Sequence, residues 1–187
     1  VIVRKMSLVS LSRITIRPFK PSDLDDIMVW GTDDRVMRFI LQNKFTTRED
    51  AMSFLEIAAL PYPWRRSICL DDRSIGLITF IPGSGEYICR GDVGCALAVQ
   101  YWSQGIATEA IKLGIACVFQ EFPHIERLQA LVEVENKASQ RIVEKVGFLK
   151  EGLLRKCIVI KANTKDMICY SLLTTGLLSL NLQRNKL

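Results

Sequence analysis

The sequence is poor in the residues that several kinds of functional site require. It has one histidine, and its six cysteines form no C-x-x-C pair, so the ligand spacing of a zinc site is missing. The net charge is only +5, and no block of several consecutive lysines or arginines occurs. No apolar stretch is long enough to cross a membrane. We therefore expect no metal, no nucleic-acid partner and no membrane partner.

The cysteines are those of a reducing compartment. Most of the six lie in apolar runs, where small buried thiols are usual. Unpaired thiols predict a cytoplasmic protein. The final Asn-Lys-Leu differs by one residue from the S-K-L peroxisomal address, and the small size is compatible with a nuclear share. The start, Val1 to Arg13, lacks the pattern of a signal peptide.

What is present predicts one α/β domain. The chain has 187 residues, of which 49% are hydrophobic and 24% charged, as in an ordinary globular protein. Strand patterns are expected at Arg13–Phe19, Arg66–Leu70, Ser74–Ile81, a segment ending at Val99, Leu128–Val134, Leu153–Ile160 and Asp166–Leu173. Helix patterns are expected from Ser22 or Asp23 to Trp30, at Val36–Ile40, from Thr46 or Thr47 to Ala59, at Ala107–Phe119 and between Asn136 and Phe148, with a loop at Leu60–Trp64. This order predicts a mixed sheet with helices on both faces.

The run YWSQGIATEA, Tyr101 to Ala110, joins an expected strand to an expected helix through Gly105. The first N–H groups of a helix have no intrahelical partner, and the helix dipole adds partial positive charge there. A glycine at this turn lets the backbone approach an anion closely. The run therefore predicts a phosphate site, unless Gly105 only makes the turn.

The run NKASQRIVEKVGF, Asn136 to Phe148, follows the strand expected at Leu128–Val134. Ala138, Ile142 and Val146 recur at helical spacing, and Gly147 suits the C-terminal cap. Asn136 is a good N-cap residue, and Ser139 lies on the first turn.

The two runs together resemble the motifs of the GNAT family, the Gcn5-related N-acetyltransferases, which use acetyl-CoA. The W-x-x-G-x-A-T-E-A and N-x-x-S-x-x-x-x-E-K-x-G-F patterns are most similar to the RimJ/RimL-type branch, which acetylates protein N-termini. The resemblance implies the GNAT fold over residues 13–175, with tails at 1–12 and 176–187. That fold is a mixed central β-sheet with a splayed pair of parallel central strands, flanked by helices on both faces.

The resemblance also implies where acetyl-CoA binds. The pyrophosphate loop maps onto Gln104, Gly105, Ile106, Ala107 and Thr108, and the strand amides facing the acetyl carbonyl map onto Leu97, Ala98 and Val99. Gln104 stands where many members have Arg or Lys, so we expect the phosphate contact to depend on backbone N–H groups.

The resemblance implies that Asn136 contacts the CoA arm and that Ser139 assists the leaving thiolate. Many GNAT members place a tyrosine acid seven residues after the asparagine, but this chain has Val143 there. Because a serine has a high pKa, we expect Ser139 to donate a hydrogen bond to the sulfur, directly or through water, rather than a full proton.

The general base is left open among carboxylates on or beside the central strands. Asp92, Glu133 and Glu135 are the candidates, and alternation places Glu133 and Glu135 on one side of their strand. Each is equally compatible with a salt-bridging role at a strand end. Glu109 suits a partner of the helix dipole better than a base.

The acceptor is expected to be a primary amine, most readily a protein or peptide N-terminus attacked directly in a ternary complex. An acidic early region, carrying Asp33, Asp34, Glu49 and Asp50, would attract such a cation. A polyamine or another small amine is the alternative acceptor. A non-catalytic acyl-CoA-binding sensor and a ribosome-associated interaction protein are the alternative classes, and the protein is expected to be a monomer or a homodimer.

Overall fold

The computed structural model describes residues 9–59 and 64–175, without the side chains of 57–59. The expected C-terminal tail and most of the N-terminal one lie outside these ranges, as does the expected loop, apart from Trp64. One seven-stranded sheet, in the order β1-β2-β3-β4-β5-β7-β6, confirms the expected mixed α/β architecture. Within these ranges, no helix combines the length and apolar character that a membrane span needs.

The elements follow the sequence patterns closely. The strands are β1 Ile14–Arg17, β2 Trp64–Leu70, β3 Arg73–Pro82, β4 Arg90–Leu97, β5 Arg127–Glu133, β6 Leu149–Ile160 and β7 Asn163–Leu173. The helices are α1 Leu24–Gly31, α2 Asp34–Met37, α3 Arg48–Ser53 with a π-helical continuation Phe54–Ala59, α4 Ile106–Glu121 and α5 Lys137–Val146. Trp64, expected in a loop, instead begins β2 and is fully buried.

Two apolar cores lie on opposite faces of the sheet. The first core, which includes Phe80, Leu97 and Leu128, packs against α4 and α5. The second core, which includes Trp30 and Ala98, lies on the side of α1, α2 and α3. Burying each large apolar side chain stabilises the fold by about 1.5–3 kcal/mol.

α1 starts after Asp23 as expected, but without the expected side-chain cap. Neither Ser22 nor Asp23 caps it through a side chain. Asp23 is 3% exposed and instead pairs with Arg17, its Oδ2 lying 2.8 Å from Nη1. A buried carboxylate needs such a partner, so the ion pair takes the side chain that the helix would have used.

β4 and β5 form the one parallel pair of the described sheet, and they part halfway. They pair only at Arg90↔Arg127, Gly91↔Leu128 and Asp92↔Gln129, although β4 continues to Leu97 and β5 to Glu133. The expected splay is therefore present. Beyond Asp92 the facing edges of both strands carry backbone groups that lack a strand partner, and these need water or a ligand.

Candidate active site

The turn into α4 has the geometry of an anion site. Gly105 is the N-cap residue and has φ 81° and ψ −7°, a left-handed conformation that glycine adopts with little strain. The first intrahelical bond runs from the Glu109 N–H to the Gly105 carbonyl, 3.1 Å. The N–H groups of Ile106, Ala107 and Thr108 therefore precede the hydrogen-bond ladder of the helix.

Gln104 contributes less to this turn than its side-chain donors suggested. Its Nε2 donates to the Gln100 carbonyl at 2.8 Å, so the amide folds back onto the loop. This agrees with the expectation that an anion here would depend on main-chain N–H groups.

The backbone of β4 presents alternate residues to the opening between β4 and β5. The Ala98 N–H donates to the Ile75 carbonyl of β3 at 2.9 Å, so the Ala98 amide points away from the opening. Strand alternation then turns the backbone groups of Cys95 and Leu97 toward the opening. Within the stretch expected to supply an amide for the acetyl carbonyl, Leu97 is the residue whose backbone faces the opening, whereas Ala98 donates to β3 and Val99 lies beyond the strand in a 3₁₀ turn.

Trp102 borders the wide end of this opening. Its indole Nε1 donates to the Leu97 carbonyl at 2.7 Å, while the residue remains 44% exposed. Nothing in the residue pattern assigned chemistry to Trp102, although it lies inside the first motif. The indole therefore ties the loop between β4 and α4 to the last carbonyl of β4.

The second motif forms the N-terminus of α5. The Asn136 Oδ1 accepts the Ser139 N–H at 3.1 Å, which confirms the N-cap. Ser139 is half-buried, and its hydroxyl makes no hydrogen bond within the described ranges. Gln140, which sequence reasoning missed, is buried and donates to the Glu133 and Val134 carbonyls at 3.2 and 2.9 Å, tying α5 to the end of β5.

The buried face of α5 differs from the predicted stripe. Gln140, Val143 and Val146 are buried, whereas Ala138 is exposed. Val143, at the position of the family tyrosine, packs into the first core at 6% exposure. The other two members of the four-residue repeat do face the core, since Val146 is buried and Ile142 packs against the first core.

The three candidate bases lie in different environments. Glu133 is 6% exposed, with Oε1 2.8 Å from Lys165 Nζ. Glu135 follows β5 and pairs with Arg38 at 2.8 Å, both side chains being exposed. These two carboxylates take the salt-bridging role that the sequence left open.

Asp92 has no ion pair within the described ranges. Its Oδ1 accepts from Gln129 Nε2 at 2.9 Å, at the last paired position before the strands part. Alternation places Asp92 on the face of Ala96 and Ala98, which pack in or against the second core. Asp92 therefore lies on the sheet face opposite α5 and Ser139.

The acidic early region is neutralised in part. Asp33 pairs with Arg35 at 2.7 Å, and this guanidinium lowers the pKa of Asp33 to about 2. Asp34 pairs with Lys44 at 3.0 Å. Asp50 accepts backbone and hydroxyl hydrogens at the start of α3. Glu49 and Asp50 have no ion-pair partner within the described ranges, so the region keeps part of its negative charge.

Within residues 9–59 and 64–175, no group of three or more His, Cys, Asp or Glu side chains is placed so that it could hold a metal ion.

Comparison with known proteins identifies the class that this fold and site define. The family model described as "Acetyltransferase (GNAT) domain" matches residues 13–149. The chain belongs to the GNAT acetyltransferase family, and it is an acetyl-CoA-dependent N-acetyltransferase with homologues and structural neighbours of the RimJ/RimL type.

Individual relatives agree with this assignment. Uncharacterized N-acetyltransferase YnaD of Bacillus subtilis is 30% identical over 156 residues, covering 80% of this chain and 87% of the relative. The crystal structure of a GNAT acetyltransferase from Bacillus anthracis has a TM-score of 0.77 at 27% identity, covering 88% of this chain and 97% of that one.

Two structural neighbours with named acceptors share the fold. Spermidine N-acetyltransferase from Vibrio cholerae, in complex with CoA and spermine, has a TM-score of 0.74 at 18% identity and covers 89% of this chain and 99% of that one. Ribosomal-protein-S5-alanine acetyltransferase from Vibrio fischeri has a TM-score of 0.71 at 21% identity, covering 86% and 93%. These neighbours take different acceptors, so the fold alone leaves the acceptor of this chain undetermined.

Proposed function

We propose that this N-acetyltransferase acts on the N-terminal amine of a protein or peptide, by direct attack in a ternary complex with Asp92 as general base. The observation that carries the proposal is the position of Asp92. It is a carboxylate without an ion-pair partner in the described ranges, placed where β4 and β5 separate. We further propose a cytoplasmic location and a monomeric or homodimeric state.

The residues around the opening fit acetyl-CoA. Three N–H groups at the start of α4 suit a pyrophosphate, and the backbone edge from Cys95 to Leu97 suits an amide-containing arm. Asn136 and Ser139 lie at the N-terminus of α5, where the sequence motif places the contacts to the arm and sulfur. When bound, acetyl-CoA supplies a thioester whose carbonyl carbon accepts the amine.

The protein groups act on the reacting centre from two faces of the sheet. Asp92 accepts a proton from the amine, directly or through water, on the side of the second core. The Ser139 hydroxyl donates a hydrogen bond to the departing sulfur on the side of α5. The Leu97 and Cys95 N–H groups are the donors available to stabilise negative charge on the carbonyl oxygen.

Cys95 supports direct attack over an acyl-cysteine route. It is the cysteine of β4, but its side chain packs against the first core. Burial raises the pKa of the Cys95 thiol to about 12, so little nucleophilic thiolate exists at neutral pH.

The charge distribution favours a monocationic acceptor over a polyamine. A polyamine carries several ammonium groups and needs several free carboxylates. Glu133, Glu135, Asp33 and Asp34 all pair with basic side chains. Of the three candidate bases, Asp92 is the one without an ion pair within the described ranges, and it can serve a single amine such as a peptide N-terminus.

The test is a CoA-release assay over an acceptor panel. Peptides with free N-termini should give the highest kcat/KM. The same peptides acetylated at the N-terminus but containing lysine should give little, and so should spermidine and spermine. A higher kcat/KM for spermidine would contradict the peptide acceptor, and thermal stabilisation by acetyl-CoA without turnover on any amine would favour a sensor.

A further inference from the structure

A chain of hydrogen bonds crosses the four strands β6, β7, β5 and β4 on the face of the sheet that carries Asp92, and it ends at Asp92. Gln129 Nε2 donates to Asp92 Oδ1 at 2.9 Å. The Gln129 Oε1 accepts from Arg127 Nη2 at 3.3 Å and from Arg90 Nη1 at 3.4 Å. None of the residues in this polar chain belongs to either family motif, Tyr101–Ala110 or Asn136–Phe148.

An ion pair fixes the end of the polar chain that lies away from Asp92. Arg127 forms a two-pronged ion pair with Glu151 of β6, at 2.7 and 2.5 Å. The Ser171 hydroxyl of β7 donates to the same carboxylate at 2.6 Å. The Arg127 guanidinium, together with Ser171, lowers the pKa of Glu151 to about 2, so this pair stays charged across the physiological range.

The arginines dictate which way the Gln129 amide faces. A guanidinium has only donors, so the amide oxygen must turn toward Arg127 and Arg90. The amide N–H₂ then has to face Asp92. Asp92 Oδ2 makes no hydrogen bond within the described ranges, so one carboxylate oxygen is held while the other stays available to a proton.

We propose that Gln129 is a positioning residue for Asp92, oriented by Arg127 and Arg90 and anchored through Glu151. This inference rests on the proposed role of Asp92 as general base. By holding Oδ1, Gln129 keeps Oδ2 directed at the entering amine.

The groups around Asp92 are few. On β5 they are Gln129 and, behind it, Arg127; on β4, Arg90; on β6 and β7, Glu151 and the Cys169 thiol, which lies 3.5 Å from Gln129 Oε1. On β3 the residue opposite Asp92 is Ile81, which carries no charge. Gln129 and the two arginines are therefore the polar and charged groups nearest to Asp92 in this part of the sheet.

The experiment compares Gln129→Leu, Gln129→Glu and Asp92→Asn, with Gln120→Leu on the exposed surface of α4 as the matched control. The readouts are the pH profile of kcat/KM for the amine, the dissociation constant of acetyl-CoA and the melting temperature without ligand. Gln129→Leu should lower kcat/KM about 10-fold and move the acidic limb to higher pH, without changing acetyl-CoA affinity.

Gln129→Glu keeps an acceptor for the arginines but places a second carboxylate beside Asp92, so it should move the acidic limb at least as far. Adding Asp92→Asn to Gln129→Leu should cost no more than Asp92→Asn alone. These results, with Gln120→Leu unchanged, support the inference.

Two outcomes distinguish a failure of the positioning role of Gln129 from a failure of the base assignment of Asp92. If Asp92→Asn abolishes turnover while both folded Gln129 variants keep the wild-type pH profile, the positioning role is wrong and the proposed function stands. If Asp92→Asn itself turns over at the wild-type rate, the base assignment fails and the role of Gln129 fails with it.

Discussion

At the scale of single residues, the proposed base and the proposed hydrogen-bond donor to the sulfur lie on opposite faces of the sheet. Asp92 shares a face with Ala98 and the second core, whereas Ser139 belongs to α5, which packs against the first core. A group held between β4 and β5 would meet a base from one side and a hydrogen-bond donor from the other. This arrangement suits a reaction in which an amine enters and a thiolate leaves.

Ser139→Ala should lower turnover by about 10-fold or more, with acetyl-CoA affinity nearly unchanged. The serine acts on charge that develops only as the C–S bond breaks, and Val143 offers no substitute donor. Steady-state kinetics at saturating acetyl-CoA, with ligand titration, is the measurement. Ser22→Ala, at an exposed serine, is the control. Wild-type turnover in folded Ser139→Ala, with chemistry rate-limiting, would leave the serine without a catalytic role.

Residue types in a motif could be predicted from the sequence, but pairing partners could not. Asn136 as an N-cap followed from its place before a helical repeat. The choice among Asp92, Glu133 and Glu135 did not, because Lys165 and Arg38, which neutralise two of them, are distant in sequence. Local patterns carry no information about such long-range ion pairs.

At the scale of elements, α4 and α5 each place an N-terminus beside the opening between β4 and β5. Each helix begins with a residue suited to binding acetyl-CoA there. For α4 this residue is Gly105. Gly105→Asp should abolish the rise in melting temperature that acetyl-CoA produces, because it adds a negative charge to the anion site.

Gly105→Ala separates charge from backbone strain. Its added methyl would lie 3.7 Å from Leu11, an ordinary contact, but the left-handed φ costs roughly 1–2 kcal/mol. The alanine variant should therefore melt earlier yet retain most of the acetyl-CoA shift, as measured by differential scanning fluorimetry. A full shift in Gly105→Asp would remove the α4 turn from the cofactor site.

Tyr170 links β7 to α5 and gives the protein an alkaline sensitivity. The buried phenol donates to Glu144 at 3.0 Å, and burial together with this carboxylate raises the pKa of Tyr170 to about 12. The unfolded chain loses that proton near pH 10, so the stabilisation is complete below pH 10 and declines as pH rises toward 12.

Tyr170→Phe should reduce stability by about 1 kcal/mol at neutral pH, where a hydrogen bond is lost. The difference from wild type should shrink between pH 10 and 12. Urea unfolding at pH 8 and pH 11 measures both. An equal difference at the two pH values would show that the phenol does not contribute to the alkaline loss of stability.

The boundaries of elements followed the sequence where the local signal was strong. The helix at α4 and the hairpin strands β6 and β7 were expected nearly as found. The start of α1 was also expected, with Asp23 at the N-cap position, but the Asp23 side chain pairs with Arg17 instead of capping the helix. Tertiary electrostatics there overrides the usual preference of aspartate for a helix cap.

At the scale of the whole molecule, the order and pairing of the strands determine where the opening between β4 and β5 lies. β4 and β5 are adjacent and parallel, yet each packs the same first core through Leu97 and Leu128. Periodicity alone predicted a mixed sheet with helices on both faces. The splay itself was expected only from the family resemblance, because hydrophobic alternation along a strand does not record where pairing stops.

The measurement that tests this account most directly is amide hydrogen exchange with and without CoA. The account predicts new protection at the backbone groups that face the opening, Cys95 and Leu97, and at the three N–H groups of Ile106, Ala107 and Thr108. The Ala98 amide, already bonded to Ile75, should be slow in both states. Saturating CoA that protects other segments while these five amides exchange as before would contradict the placement of the cofactor between β4 and β5.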